Sequence, residues 1–240
     1  MAMGTGTVLV VIGAGLAVGL SAIGAGIGVG IAGAAASGVT AVDKDKFGLA
    51  LVFQALPQTQ GIYGLLVAIL LLMSTGILGG NPVDVPVSVG LAAIGVGIAV
   101  GLAGLSAIGQ GIAASSSVAV AARDPEIVGK GLVFSVLPET QAIYGLLVAI
   151  LLMAFSGMFT GVFTISEAVG FAAIGSGLAV GFAGLSGIGQ GITAGAGIVA
   201  TAQQPEVMGR ALIFAVMSET FAIFGLLIAI LIMFGSGLTG

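Results

Sequence analysis

The sequence predicts an all-α integral membrane protein of six transmembrane helices, laid out as three tandem helical hairpins. Three observations predict it. The 240 residues are 58% hydrophobic and only 6% charged, against about 25% charged in soluble domains. A closely similar segment recurs three times at a spacing of about 80 residues, the mark of an internally repeated architecture. Every lysine and arginine lies in one of three short loops, one per repeat.

Each repeat begins with a glycine-rich span: GLSAIGAGIGVGIAGAA, GLAGLSAIGQGIAASSS and GFAGLSGIGQGITAGAG. The 44 glycines stand inside apolar runs, which suits helices whose backbones approach closely in a membrane. The amino-terminal MAMGTGTVLVVIGAG has no positive n-region, so it reads as the start of the first span. Polar loops follow, AVDKDKF from Ala41, AARDPEIVGK from Ala121 and TAQQPEVMGR from Thr201. The second spans are VFQALPQTQGIYGLLVAILLLM, VFSVLPETQAIYGLLVAILLMA and IFAVMSETFAIFGLLIAILIMF. The hairpins are therefore assigned to 1–80, 81–160 and 161–240. Each apolar segment exceeds the roughly 20 residues needed to cross a bilayer, so tilt or projection into water is expected. Lys44, Lys46, Arg123, Lys130 and Arg210 occupy the hairpin loops, whereas the opposite connections hold only Asp84 and Glu167. The positive-inside rule then puts the loops in the cytoplasm and the termini outside.

Composition also excludes chemistry. With no Cys and no His, disulfide frameworks, thiolate or imidazole metal sites and imidazole catalysis are absent. A net charge of −4 gives no footprint for nucleic acid. VLVVIGAGLAVG, from Val8, imitates a dinucleotide-binding glycine loop. Such a loop needs a strand before it and an acidic residue about 20 positions on; Gly33 and its alanine neighbours stand there instead. No nucleotide site is expected.

Strong polar groups inside the apolar segments are few. Gln110 lies on the second glycine-rich span, with Glu139, Thr140 and Gln141 on its partner; Gln190, Glu219 and Thr220 follow in the third repeat, and Gln58, Thr59 and Gln60 in the first. A charged side chain at mid-bilayer costs about 2.5–3.5 kcal/mol on insertion scales, so Glu139 and Glu219 read as functional. Pro57 and Pro138 each lack an N–H and free a carbonyl one turn earlier. A proton needs only a carboxylate; the accompanying Gln and Thr oxygens suit a dehydrated hard cation, which favours Na⁺ over H⁺.

Repeated hairpins, a glycine-rich first helix and a mid-membrane Glu in the second resemble the proteolipid (c or K) ring subunit of V-type and A-type rotary ATPases. The LP-x-TQ motif with Gln on the partner helix is similar to the Na⁺-binding V-type ring subunits of anaerobic bacteria. The resemblance implies copies assembled in a closed ring in the lipid bilayer of a prokaryotic cell membrane. The ring would turn against a membrane stator subunit and be coupled through a soluble rotor stalk to ATP chemistry on partner subunits.

Carried over residue by residue, the resemblance implies a first site of Leu56, Thr59 and Gln60 with Gln110 and Glu139. The second would be Leu137, Thr140 and Gln141 with Gln190 and Glu219. Tyr63 would partner Glu139, and Tyr144 would partner Glu219. The third combination, between chains, is degenerate: Met217, Thr220 and Phe221 would meet Gln58 in place of a carboxylate and Ala25 in place of the partner-helix Gln. Two ion sites per chain are expected, and so fewer ions per turn than one carboxylate per hairpin would give. The rival from another class, a secondary cation transporter, usually shows inverted repeats and unwound helices, whereas even-span hairpins all run the same way.

Overall fold

The computed structural model describes residues 3–239. Among them the chain is helix and turn, with no strand. Hairpin 1 pairs α1 (Thr5–Val42) with α2 (Phe47–Ala55) and α3 (Gln58–Ser74). Hairpin 2 pairs α4 (Val87–Ala103) and α5 (Ala107–Ala121) with α6 (Val128–Val136) and α7 (Thr140–Phe155). Hairpin 3 pairs α8 (Glu167–Ala183) and α9 (Ser186–Gln203) with α10 (Met208–Val216) and α11 (Glu219–Gly235). Five near-continuous helical stretches are long and apolar enough to cross a membrane, and a sixth span is α2 with α3, bent by 44° at the Leu56–Pro57 break. At 38 residues, α1 is about 57 Å long, well beyond the roughly 30 Å hydrocarbon core.

The glycine-rich spans lie side by side in one row, α1 against α4–α5 and these against α8–α9. The second spans form another row, each against its own hairpin's glycine-rich helix. Glycine sets the spacing of the first row. A Cβ on Gly97 would run into the Gly13 carbonyl, and one on Gly177 into the Gly95 carbonyl. A second tier repeats the contact, with Gly111 against the Gly28 carbonyl and Gly191 against that of Gly109.

Hairpin 1 differs from the others in one respect that matters for the site. Its glycine-rich helix is unbroken, whereas a 3₁₀ turn at Gly104–Ser106 separates α4 from α5, and a turn at Gly184–Leu185 separates α8 from α9. A 3₁₀ turn rises about 2.0 Å per residue against 1.5 Å in an α-helix. The broken span therefore covers the distance between tiers with one residue fewer, Gly95 to Gly109 against Gly13 to Gly28.

Hairpin loops start alike. Asp43 and Asp124 each accept a hydrogen bond from the backbone N–H two residues on, Asp45 and Glu126, both at 3.0 Å. Gln204 takes the same extended backbone in hairpin 3. Second spans end on left-handed glycines, Gly76 at φ 68°, Gly157 at φ 81° and Gly237 at φ 77°, a conformation only glycine adopts without strain. Where hairpins meet, Phe53 and Phe134 are fully buried. Their counterpart Phe214 is 63% exposed, with Met217 and Phe221 equally bare on the flank of the last hairpin.

Candidate ion-binding sites

Two polar clusters lie inside the bundle, one at each junction between hairpins, and they repeat the same bonds. At the first, the Thr59 hydroxyl stands 3.1 Å from both Leu56 O and Gln60 Oε1. One hydroxyl proton cannot serve both acceptors, so the cluster gathers more oxygens than it has hydrogens to pair them. Gln60 Nε2 donates to Gln110 Oε1 at 2.7 Å across the hairpin boundary, and Gln110 Nε2 donates to Glu139 Oε2 at 3.3 Å. The Tyr63 hydroxyl donates to the other carboxylate oxygen, Glu139 Oε1, at 2.5 Å.

The second cluster substitutes residue for residue. Thr140 Oγ1 is 3.1 Å from Leu137 O and 3.2 Å from Gln141 Oε1. Gln141 Nε2 donates to Gln190 Oε1 at 2.6 Å, Gln190 Nε2 to Glu219 Oε2 at 3.2 Å, and the Tyr144 hydroxyl to Glu219 Oε1 at 2.7 Å. All four glutamines are 0% exposed.

Local sequence explains why these groups converge. Pro57 and Pro138 interrupt the second span, and the chain takes a tight turn there; the Thr140 N–H bonds to Leu137 O and the Thr59 N–H to Leu56 O at 3.3 Å. The carbonyl drawn into each cluster is thus the leucine just before the proline, not one a full turn earlier. Thr, Gln and Tyr then follow on one helical face, while Gln and Glu come from the next hairpin. Among the described residues no group of three or more His, Cys, Asp or Glu could hold a metal ion; the donors here are mostly amide, hydroxyl and carbonyl oxygens.

The third combination is not assembled within the chain. Gln58 is exposed on one flank, where a groove is lined by Ala25, Val29, Gly61 and Ile62. Phe221 and Phe224 lie on the last hairpin, 63% and 55% exposed. One expected residue is corrected. Val29, Gln110 and Gln190 each stand fourteen residues before the loop residues Asp43, Asp124 and Gln204, with near-continuous helix between. The position matching the partner-helix Gln is therefore Val29, and Ala25 lies one turn below it. The shared Gly-Leu-Ser tripeptides mislead because they are not equivalent: Ser21 packs on Gly64 as Ala103 packs on Gly145, one turn below Ser106, and the 3₁₀ turn at Gly104–Ser106 shifts the register by only one further residue. Counting back from the loops would have found it.

Fold and site together define a membrane proteolipid of repeated two-helix hairpins with a half-buried, amide-bonded carboxylate at each internal junction. The chain belongs to the ATP synthase C-subunit family, whose model matches residues 12–71, 88–152 and 174–232, one stretch per hairpin. It is 61% identical over 226 residues to the K subunit of the A-type ATP synthase of Methanocaldococcus jannaschii, covering 94% of this chain and 96% of that protein. It is 37% identical over 120 residues to the K subunit of the V-type sodium ATPase of Enterococcus hirae, covering 50% of this chain and 73% of that one. Over 130 residues it is 33% identical to the 16 kDa proteolipid of the V-type proton ATPase of Rattus norvegicus, 54% of this chain and 77% of that protein. With its long apolar helices, the chain is an integral membrane protein.

Proposed function

We propose that this chain, a rotor-ring subunit of a rotary ATPase, carries Na⁺ across the membrane on Glu139 and Glu219. One observation carries the reading: two copies of the same oxygen cluster surround two carboxylates. Leu56 O, Thr59 Oγ1, Gln60 Oε1, Gln110 Oε1 and the Glu139 carboxylate serve one ion, and Leu137, Thr140, Gln141, Gln190 and Glu219 serve the other. Five oxygens replace the hydration shell of a hard cation, and the carboxylate balances its charge inside low dielectric. A proton carrier has no use for so many acceptors.

Each ion enters from one half-channel of a stator subunit, travels with the turning ring and leaves through the other. ATP is turned over on partner subunits, reached through a soluble stalk docked on the three charged hairpin loops at the cytoplasmic side. The junction between copies carries no ion, because Gln58 lacks a charge and Val29 and Phe221 offer no side-chain oxygen. The cytoplasmic loops and external termini follow from the placement of every Lys and Arg in the hairpin loops, and the prokaryotic cell-membrane setting from the resemblance to the A-type and sodium V-type K subunits.

Dicyclohexylcarbodiimide attacks protonated buried carboxylates and tests this directly. Labelling of the purified ring is expected at Glu139 and Glu219 alone, blocked by millimolar Na⁺. Labelling of the same residues with no response to Na⁺ at any pH would make the ring a proton carrier. Labelling of neither would remove the ion-carrying role.

The tyrosines give a finer expectation. Tyr63→Phe removes one of the two donors to Glu139 and leaves Glu219 with Tyr144. The Na⁺ concentration that half-protects Glu139 should rise about two- to tenfold, the worth of one hydrogen bond, with Glu219 unmoved. Equal movement at both residues would mean that the tyrosine acts through the ring as a whole.

A further inference from the structure

Ser106 Oγ and Ser186 Oγ are buried and have no hydrogen-bond partner among the described residues. They hold the same place in hairpins 2 and 3, each four residues before the partner-helix Gln. The far side of hairpin 3 has no further hairpin of this chain to meet it, so the surroundings of Ser186 are incomplete. Ser106 is enclosed. It is 0% exposed, and hairpin 3 lies against it: a Cβ on Gly187 would stand 2.6 Å from Ser106 Cβ and 3.3 Å from Gln141 Oε1. Ser106 and the Gln141 amide of the second cluster thus border the same face of Gly187.

The buried serine nearest the first cluster is Ser21, which faces Gly104 beside the Gln60 carbonyl and is already bonded to Ala17 O. The residue in the register of Ser106 is Ala25, which lies against Gly61, next to Gln60. One cluster therefore backs onto a methyl group and the other onto a hydroxyl. A serine inside a helix ordinarily satisfies itself on a carbonyl of the preceding turn, as Ser21 does on Ala17 O at 2.8 Å. Ser106 stands at the 3₁₀ turn between α4 and α5 and does not. A fully buried hydroxyl without a partner, next to a polar cluster, is where bound water is found in proteins.

We propose that Ser106 holds a water molecule behind the Glu219 site, hydrogen-bonded to Gln141, which makes this site tighter for its cation than the Glu139 site. The inference rests on the ion-carrying reading above and adds that the two sites of one chain are unequal. The water fixes the Gln141 amide with its oxygen toward the cation. At the Glu139 site, Gln60 is without that support.

Because the two carboxylates lie in different peptides of one chain, mass spectrometry of carbodiimide-labelled rings reads each site separately against Na⁺ concentration. Glu219 is expected to be protected at lower Na⁺ than Glu139. Ser106→Ala should raise the half-protecting concentration of Glu219 by about two- to tenfold, leave Glu139 in place and bring the two curves together. Ser21→Ala, which removes a self-satisfied hydroxyl from the neighbouring helix, should move neither curve. Coincident curves in the unaltered ring, or a Glu219 curve indifferent to Ser106→Ala, would overturn the inference. Protection of neither residue by Na⁺ would overturn the sodium reading first, and this one with it.

Discussion

Glu219→Gln in the assembled complex is expected to abolish ATP-driven Na⁺ transport while leaving Glu139 open to carbodiimide labelling. The reason is more than loss of charge. In the native site both carboxylate oxygens accept, one from Tyr144 and the other from Gln190. An amide has one acceptor and one donor group, so its NH₂ must face either the Tyr144 hydroxyl or the Gln190 amide, whichever turned its donor there. Removing one partner of a buried charge pair costs about 2–5 kcal/mol, or roughly 30- to several-thousand-fold in ion affinity. Sodium uptake into vesicles containing the reconstituted complex, driven by ATP, measures the outcome. Uptake above a tenth of the unaltered level would mean that Glu219 is not an obligatory carrier. The protein supplies its own comparison at Gln58, where Gln already stands in the place of Glu and the surrounding ligands are missing as well.

Gly109→Val is expected to prevent a stable ring from accumulating. A Cβ at Gly109 meets the carbonyl oxygen of Gly187, and the reciprocal contact sets Gly191 on the Gly109 carbonyl. Side-chain rotation cannot relieve a clash with backbone, so the two glycine-rich helices must move apart, beside Gln110 and Gln190. Overpacking typically costs about 1–3 kcal/mol, and a displaced helix pair lies at or beyond the upper end. The control is Gly129→Ala on α6, where nothing stands within 4 Å; removing a helical glycine there should stabilise by about 0.5–1 kcal/mol. The yield of assembled ring from membranes, with the thermal midpoint of whatever ring is recovered, separates the cases against the unaltered ring. Equal yields and midpoints for Gly109→Val and the unaltered ring would show that close approach of the helices is not what holds the row together.

Much of this protein is legible in its residues because the membrane simplifies the problem. Backbone polar groups in lipid must be satisfied within the segment, so a long apolar run is a helix. Six such runs with charged loops between them make hairpins. Glu139 and Glu219 stand out because charge is costly in that setting. The three copies also show which residues vary together: Pro57 and Pro138 with a threonine and a glutamine after them, against Ser218, Thr220 and Phe221. From these the class of protein, its spans and its two carboxylates follow without coordinates.

Register along the glycine-rich helices is a different matter. GLSAIGAG in hairpin 1 and GLSAIGQG in hairpin 2 invite an alignment that sets Ala25 opposite Gln110. The structure sets Val29 there, since helices are matched by distance along their axes and not by residue identity. The two Gly-Leu-Ser tripeptides stand one turn apart in the packing, since Ser21 meets Gly64 where Ala103 meets Gly145, and the 3₁₀ turn at Gly104–Ser106 shifts the register by one residue more. The same turn leaves the Ser106 hydroxyl without its usual carbonyl. Sequence alone determined the hairpins, the carboxylates and the residues that accompany them. Which atoms face one another across each junction, and that the two clusters have different surroundings, was decided only by the packing of helices with unequal rise.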